Sequence, residues 1–221
     1  HGQGVEQNDE KAFEWYLKSA QQGDAAAQHN VGVCYVEGTG VQQNYAKAIE
    51  WYQKAAGQDF AASNHNLGMM YLHGQGVRTD QKEAFRFVHK AAEEGYDMAQ
   101  AVLGSMYEYG MGVEQNPVKA FEWYQKSAEQ QNPDAQVALG DLYYRGLGIA
   151  QNQAQAFAWY LKAAEQGNHV AQFNVAVNYM EGQIVPQDIG KALSWYNKSA
   201  EQGNAQAQYN LGSLYQNGQG V

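Results

Sequence analysis

Glycine-rich turns are the first feature of this chain with residue types suited to chemistry. Gly2-Gln3-Gly4-Val5 recurs as Gly38-Thr39-Gly40-Val41, Gly74-Gln75-Gly76-Val77, Gly110-Met111-Gly112-Val113, Gly146-Leu147-Gly148-Ile149, Gly182-Gln183-Ile184-Val185 and Gly218-Gln219-Gly220-Val221. Such a loop ahead of a helix N-terminus can cradle a phosphate with its backbone amides. None continues as Gly-Lys-Ser/Thr and none follows a strand-like run, so the turns read as structural. Gly-x-Ser-x-Gly, Ser-x-x-Lys and His-Glu-x-x-His do not occur, which removes the common hydrolase and zinc-protease signatures and points to a non-catalytic protein. His29 and His65 occupy equivalent places in adjacent repeats, and His73 lies two turns beyond His65. Helices packed about 8–10 Å apart could bring two imidazoles to one ion. No carboxylate or thiolate completes a first shell there, so these histidines are read as polar groove residues, with no metal or other cofactor implied. Cys34 shares its column with Met70, Met106, Leu142 and Leu214 and is expected to be a small core hydrophobe.

The composition narrows the partner classes. The 221 residues are 44% apolar and 17% charged, enough for a substantial core. Lys plus Arg number 14 against 23 Asp plus Glu, a formal charge of −9, which opposes binding to nucleic acid or an anionic bilayer. No apolar run approaches the roughly 20 residues that span a bilayer. A single cysteine cannot form an internal disulfide, so cysteine usage leaves the compartment open.

Every step between the turns is 36 residues, without insertion or deletion. Trp15, Trp51, Phe87, Trp123, Trp159 and Trp195 keep the same period, as do Tyr35, Tyr71, Tyr107, Tyr143, Tyr179 and Tyr215. Aromatics in register with a helical stripe build packing between repeats rather than a ligand-stacking ladder. Ala48, Tyr52 and Ala56 stand at i, i+4 and i+8, predicting a helix B that starts after Asn8, Asn44, Asp80, Asn116, Asn152 or Asp188 as N-cap. Pro117 follows Asn116, where a first-turn proline is tolerated. Glu14–Lys18, Glu50–Lys54 and Glu122–Lys126 are candidate i,i+4 ion pairs. The other half-period predicts a helix A containing Gly32, Gly68, Gly104, Gly140, Ala176 and Gly212, and ending at the first turn glycine in the left-handed cap geometry. A mid-helix glycine costs about 1 kcal/mol against Ala, so a close approach by a neighbouring helix is expected at that column.

These residues resemble the Sel1-like repeat family, relatives of the tetratricopeptide repeats. The resemblance rests on Ala-Gln-Tyr-Asn-Leu-Gly-Ser-Leu-Tyr at 207–215, the Gly-x-Gly-Val turn and Lys-Ala-Phe-Glu-Trp-Tyr-Gln-Lys-Ser-Ala at 119–128, and it covers essentially the whole chain. It implies an all-α fold, a right-handed α/α solenoid of 36-residue helix-turn-helix repeats. A turn plus helix B is expected over 1–22, five A–B pairs over 23–202, and helix A with its turn over 203–221. Both end helices should then expose faces built to be covered, by further repeats or by other copies. Ile184 in place of the second turn glycine, Asp59 and Gln131 in place of the glycine seen at Gly23, and Phe87-Val88 in place of Trp-Tyr suggest locally different loops.

Function is expected where the repeats differ. By analogy with the tetratricopeptide relatives, helix A lines a concave wall, and its groove-facing positions vary from repeat to repeat. The candidate partner-binding residues are His29, Val33, Val36, His65, Met69, Leu72, His73, Tyr109, Asp141, Tyr144, Arg145, Phe173, Val177, Met180 and Tyr209. Aromatic, Met and Arg residues are enriched at interface cores. The expectation is a scaffold or adaptor for a protein or peptide partner, such as a host factor, signalling protein or secreted effector. The alternatives are binding of a small ligand or a glycan or cell-wall fragment, or a structural array that self-associates through its ends. The gap-free repeat style points to a bacterial source, periplasmic or secreted before cytoplasmic.

Overall fold

The computed structural model describes residue 4 and residues 6–218. The first and last copies of the glycine turn lie largely outside the described residues. Twelve helices and no strand occur among the described residues. Six are B helices: α1 (Asp9–Gln21), α3 (Tyr45–Ala56), α5 (Gln81–Glu93), α7 (Pro117–Glu129), α9 (Gln153–Glu165) and α11 (Ile189–Glu201). They alternate with six A helices: α2 (Ala25–Glu37), α4 (Ala61–His73), α6 (Asp97–Tyr109), α8 (Pro133–Arg145), α10 (His169–Glu181) and α12 (Ala205–Gln216). The chain divides into two compact units, His1–Gln115 and Asn116–Val221, and within each a helix packs on its neighbours in sequence.

The helix ends follow from the sequence. Asn8, Asn44, Asn116, Asn152 and Asp188 each accept a backbone N–H three residues on, at 2.9–3.0 Å, and Asp80 accepts from both Lys82 and Glu83. Asp24, Asn132, Asn168 and Asn204 cap α2, α8, α10 and α12 in the same way, a second cap column that the turn pattern did not reveal. Five A helices end on a left-handed glycine, from Gly38 to Gly182, with φ between 69° and 76°. Asp59 and Gln131 hold the left-handed backbone of the glycine they replace, at φ 58° and 68°. Those two loops therefore keep their path, at the cost of a strained non-glycine residue.

The mid-helix glycines sit where two helices come closest. A Cβ on Gly32 would meet the Tyr52 ring at 2.5 Å, one on Gly68 would meet Val88 at 2.5 Å, and one on Gly140 would meet the Tyr160 ring at 2.6 Å. The facing residues are fully or almost fully buried, Tyr52 at 2% and Val88 at 0% exposure. A second layer is made by edge-on aromatic pairs between α1, α5, α7 and α9 and the A helix that follows each, such as Phe13–Tyr35 at 5.4 Å and Phe157–Tyr179 at 5.8 Å. Cys34 is buried beside them, and burial pushes its thiol pKa up, as a core hydrophobe requires.

Polar bonds tie the repeats in register. Gln28, Gln100, Gln136 and Gln172 are buried, and each donates its amide to the carbonyl eight residues back, at 3.2–3.3 Å. Gln58, Gln166 and Gln202 donate in turn to Gln28, Gln136 and Gln172 at 2.8–2.9 Å. The expected Glu–Lys pairs do not form. Lys18, Lys54 and Lys126 instead lie over the rings of Trp15, Trp51 and Trp123, 3.9–4.1 Å from the ring centroids, because the indole three residues earlier shares their face and offers a broader partner.

Gly212, in the last A helix, differs from Gly32, Gly68 and Gly140 in having nothing within 4 Å of a built Cβ. Gly140→Ala is expected to destabilise by about 1–2 kcal/mol, overpacking outweighing the gain in helix propensity, whereas Gly212→Ala should stabilise by about 1 kcal/mol. Urea unfolding followed by circular dichroism of the two variants checks the contrast; equal effects at both sites would contradict the packing role.

Candidate functional site

The candidate residues fall into two environments. In the first unit most of them serve packing. His29 on α2 is half-buried between the rings of Tyr52 and Phe60, at centroid distances of 5.5 and 5.1 Å, and its Nδ1 lies 2.9 Å from the Ser63 hydroxyl. Val33 and Val36 pack on the core of that unit. His65 on α4 is 6% exposed, with its ring edge-on to Tyr96 at 5.3 Å and its Nδ1 buried without a hydrogen-bond partner. The reading of His65 as an open groove residue is therefore corrected: its column turns inward here, onto Tyr96. Met69 and Leu72 are half-buried, His73 is exposed at the end of α4, and Tyr109 is exposed at the end of α6.

In the second unit four candidates meet. Asp141 and Tyr144 from α8 and Phe173 and Val177 from α10 line one pocket of about 290 Å³. Phe157 and Tyr160 of α9 form its base, and Asn174, Asn178 and Glu181 of α10 with Gln183 and Ile184 of the following turn complete the wall. Arg145, Met180 and Tyr209 lie outside it: Arg145 is the exposed last residue of α8, Met180 packs on the α10–α12 core, and Tyr209 is 77% exposed on α12.

Two departures from the repeat shape this pocket. Tyr52 is hydrogen-bonded to Asn66, and the Tyr196 hydroxyl accepts from Asn210 at 3.1 Å. By register Tyr160 would use Asn174, but its hydroxyl donates to Asp141 Oδ1 at 2.5 Å, and the Asn174 side chain makes no hydrogen bond among the described residues. Burial, then the Asp141 contact and charge, pushes the Tyr160 pKa far up, so the hydroxyl stays a donor. The second departure is Ile184. In the other turns Gly40, Gly112 and Gly148 take φ of 71–73° and lie so close to the first residue of a B helix that a side chain would collide with the carbonyl of Asp9, Gln81 or Pro117. By register Ile184 would collide with Gln153. It adopts no positive φ, and Ile184 and Gln153 instead line the pocket together. Sequence reasoning missed Asn174, Asn178, Gln153 and Gln183 as site residues. Ile184 was the one available signal, because it breaks the turn pattern.

The chain carries Sel1 repeat matches over residues 1–24, 25–60, 61–96, 97–132, 133–168, 169–204 and 205–221, its whole length. The chain belongs to the Sel1 repeat family. Sel1 repeat proteins are in general non-catalytic protein-interaction scaffolds. A crystal structure of c5321, a protective antigen present in uropathogenic Escherichia coli strains and displaying the same repeat fold, is 40% identical, with a TM-score of 0.85. The match covers 97% of this chain and 46% of that one, so this Sel1 chain spans less than half the length of that relative. A Sel1 repeat protein from Oxalobacter formigenes is 36% identical over 89% of this chain and 78% of its own, with a TM-score of 0.81. Immunity protein Pa5087 from Pseudomonas aeruginosa shares the fold at 22% identity, TM-score 0.58, over 90% of this chain and 76% of its own. No curated protein matches the sequence at a significant level. Among the described residues no helix is long and apolar enough to cross a membrane.

His65 makes the acid response of this Sel1 array predictable. Burial lowers its pKa from 6.5 to about 4, with Asp97 acting weakly in the opposite direction. The unfolded state therefore takes up the proton first, and protonation favours unfolding. The His65 contribution to stability is full above about pH 6.5 and is lost as the pH falls toward 4, on the order of 3 kcal/mol in all. His65→Phe, with the residue type found at the equivalent Phe173, should flatten that decline in urea unfolding midpoints between pH 7 and pH 5. Parallel pH curves for the two proteins would refute the assignment.

Proposed function

We propose that this chain is a non-catalytic adaptor that holds a protein or peptide partner on the A helices of its second unit, anchored at the α8–α10 pocket. The observation that carries this reading is the contrast between columns. Positions that face the core repeat the same residue types, while Asp141, Tyr144, Phe173, Asn178 and Ile184 around the pocket each occur once in their columns and set aromatic surface beside a carboxylate. Tyr144 is 55% exposed, and Phe173 and Val177 beside it are half-buried. Aromatic anchors at the rim of a concavity are the usual carriers of binding energy at protein interfaces. A host factor, a signalling protein or a secreted effector would each fit this role.

Affinity capture from the native source, compared between the wild type and a Tyr144→Ala/Phe173→Ala double variant, tests the reading. The expected result is a loss of about 30-fold or more in partner affinity, the magnitude of a hot-spot pair. Phe173 also packs on Tyr196 at a centroid distance of 5.8 Å, so unfolding curves must accompany the capture. Retention of the partner at full affinity by a folded double variant would overturn the proposal.

A further inference from the structure

We infer that the α8–α10 pocket receives an arginine side chain presented by the partner, a refinement that rests on the partner-binding reading above. Its size comes first. At about 290 Å³ it lies at the lower limit of small-molecule sites, which suits one side chain rather than an extended ligand. Charge comes second. Among the described residues Asp141 and Glu181 are the charged ones that line it; Asp141 already accepts from Tyr160, and Glu181 forms no ion pair with a described residue. Carboxylates only accept hydrogen bonds, so they ask the occupant for donors and turn away anions. Shape comes third. Tyr144 and Phe173 supply ring surface beside those carboxylates, and a planar guanidinium can stack on a ring while its N–H fork reaches carboxylate oxygens.

The register shows that this combination is specific to one place. At the positions equivalent to Asp141 the other repeats carry Val33, Met69, Ser105, Val177 and Ser213, so no other repeat sets a carboxylate there. The Asn174 amide, left without a hydrogen bond when Tyr160 turned to Asp141, offers a carbonyl to a further guanidinium N–H. The formal charge of −9 draws a cationic segment toward the chain before docking.

The test is a titration of the full 15N-labelled chain with N-acetyl-arginine amide, its citrulline and lysine counterparts, and N-acetylglucosamine, read at the Asn174 side-chain amide and the Ile184 backbone amide. The arginine amide should give saturable shifts at both, and citrulline, which has nearly the same shape without the charge, should bind at least about tenfold more weakly. Glu181→Gln should weaken the arginine amide by about tenfold while the remaining resonances stay in place. Absence of a saturable shift with the arginine amide, equal binding of citrulline or lysine, or shifts produced by the sugar instead would each overturn the inference. The two proposals fail separately. A partner lost on Tyr144→Ala/Phe173→Ala while the arginine amide leaves Asn174 unmoved sinks only the arginine assignment. A partner unaffected by the double variant while the amide still binds sinks the partner-binding reading and the partner as the source of the arginine, and leaves only the pocket's preference for an arginine side chain.

Discussion

The absence of one methyl group from each of α2, α4 and α8 sets the helix spacing on which the packing around them depends. Where Gly32, Gly68 and Gly140 face Tyr52, Val88 and Tyr160, a built Cβ would stand 2.5–2.6 Å from the opposing side chain. The helix-propensity loss of about 1 kcal/mol at each glycine is offset by burial of a large side chain, roughly 1.5–3 kcal/mol relative to exposure. Val88 takes the tyrosine's place opposite Gly68 and stays fully buried, so the contact tolerates a change of shape in the opposing side chain. Ala176, itself fully buried beside Tyr196, marks how little extra volume the column accepts.

Close packing of that kind would bury backbone carbonyls at the helix ends without partners unless the sequence supplied them. The glutamine column does so. Gln28, Gln100, Gln136 and Gln172 each turn their amide onto the carbonyl eight residues back, and in three of those repeats a second glutamine from the next loop completes the bond. A buried amide in a low-dielectric interior is costly when half-satisfied and specifying when fully bonded. Register between repeats is therefore fixed by directional bonds as well as by shape. The lysines that cover the Trp rings act on the other side of the B helices, shielding indole surface that a solenoid repeat cannot bury.

How much of this was legible in the sequence follows from what the period can and cannot carry. Repetition exposes every feature that recurs: the caps at Asn8, Asn44 and their equivalents, the left-handed glycines and the close approach at Gly32. It is silent about partner choice among recurring residues. The lysines recur at i+4 from glutamate and at i+3 from tryptophan, and only the geometry selects the ring. Gln28 also recurs, but a polar residue on a helix gives no sign that it points inward until the preceding helix is placed. His65 is harder still, because the column that leaves Phe173 at a pocket wall turns a histidine onto Tyr96, a residue the sequence left unplaced. The candidate site was legible by column alone, through Asp141, Tyr144, Phe173 and Val177; Asn174 needed the knowledge that Tyr160 had changed its hydrogen-bond partner.

That change of partner shows why a repeat array places function at its irregularities. A residue that recurs in every repeat is held by the demands of stacking, since altering it costs the same contact in each copy. A single-copy residue is held only by its own surroundings. Asp141 draws away the hydroxyl that Asn174 would hold, and Ile184 keeps its turn from settling on Gln153. Neither change stabilises the repeat: one leaves an amide without a bond, and the other forgoes a glycine packed against the start of a helix. Both open the same volume, between α8 and α10, while the glycine–tyrosine contact beneath it at Gly140 and Tyr160 is kept. Two local losses that converge on one cavity, above an intact packing layer, are what selection for a binding partner would leave and what selection for stacking alone would remove.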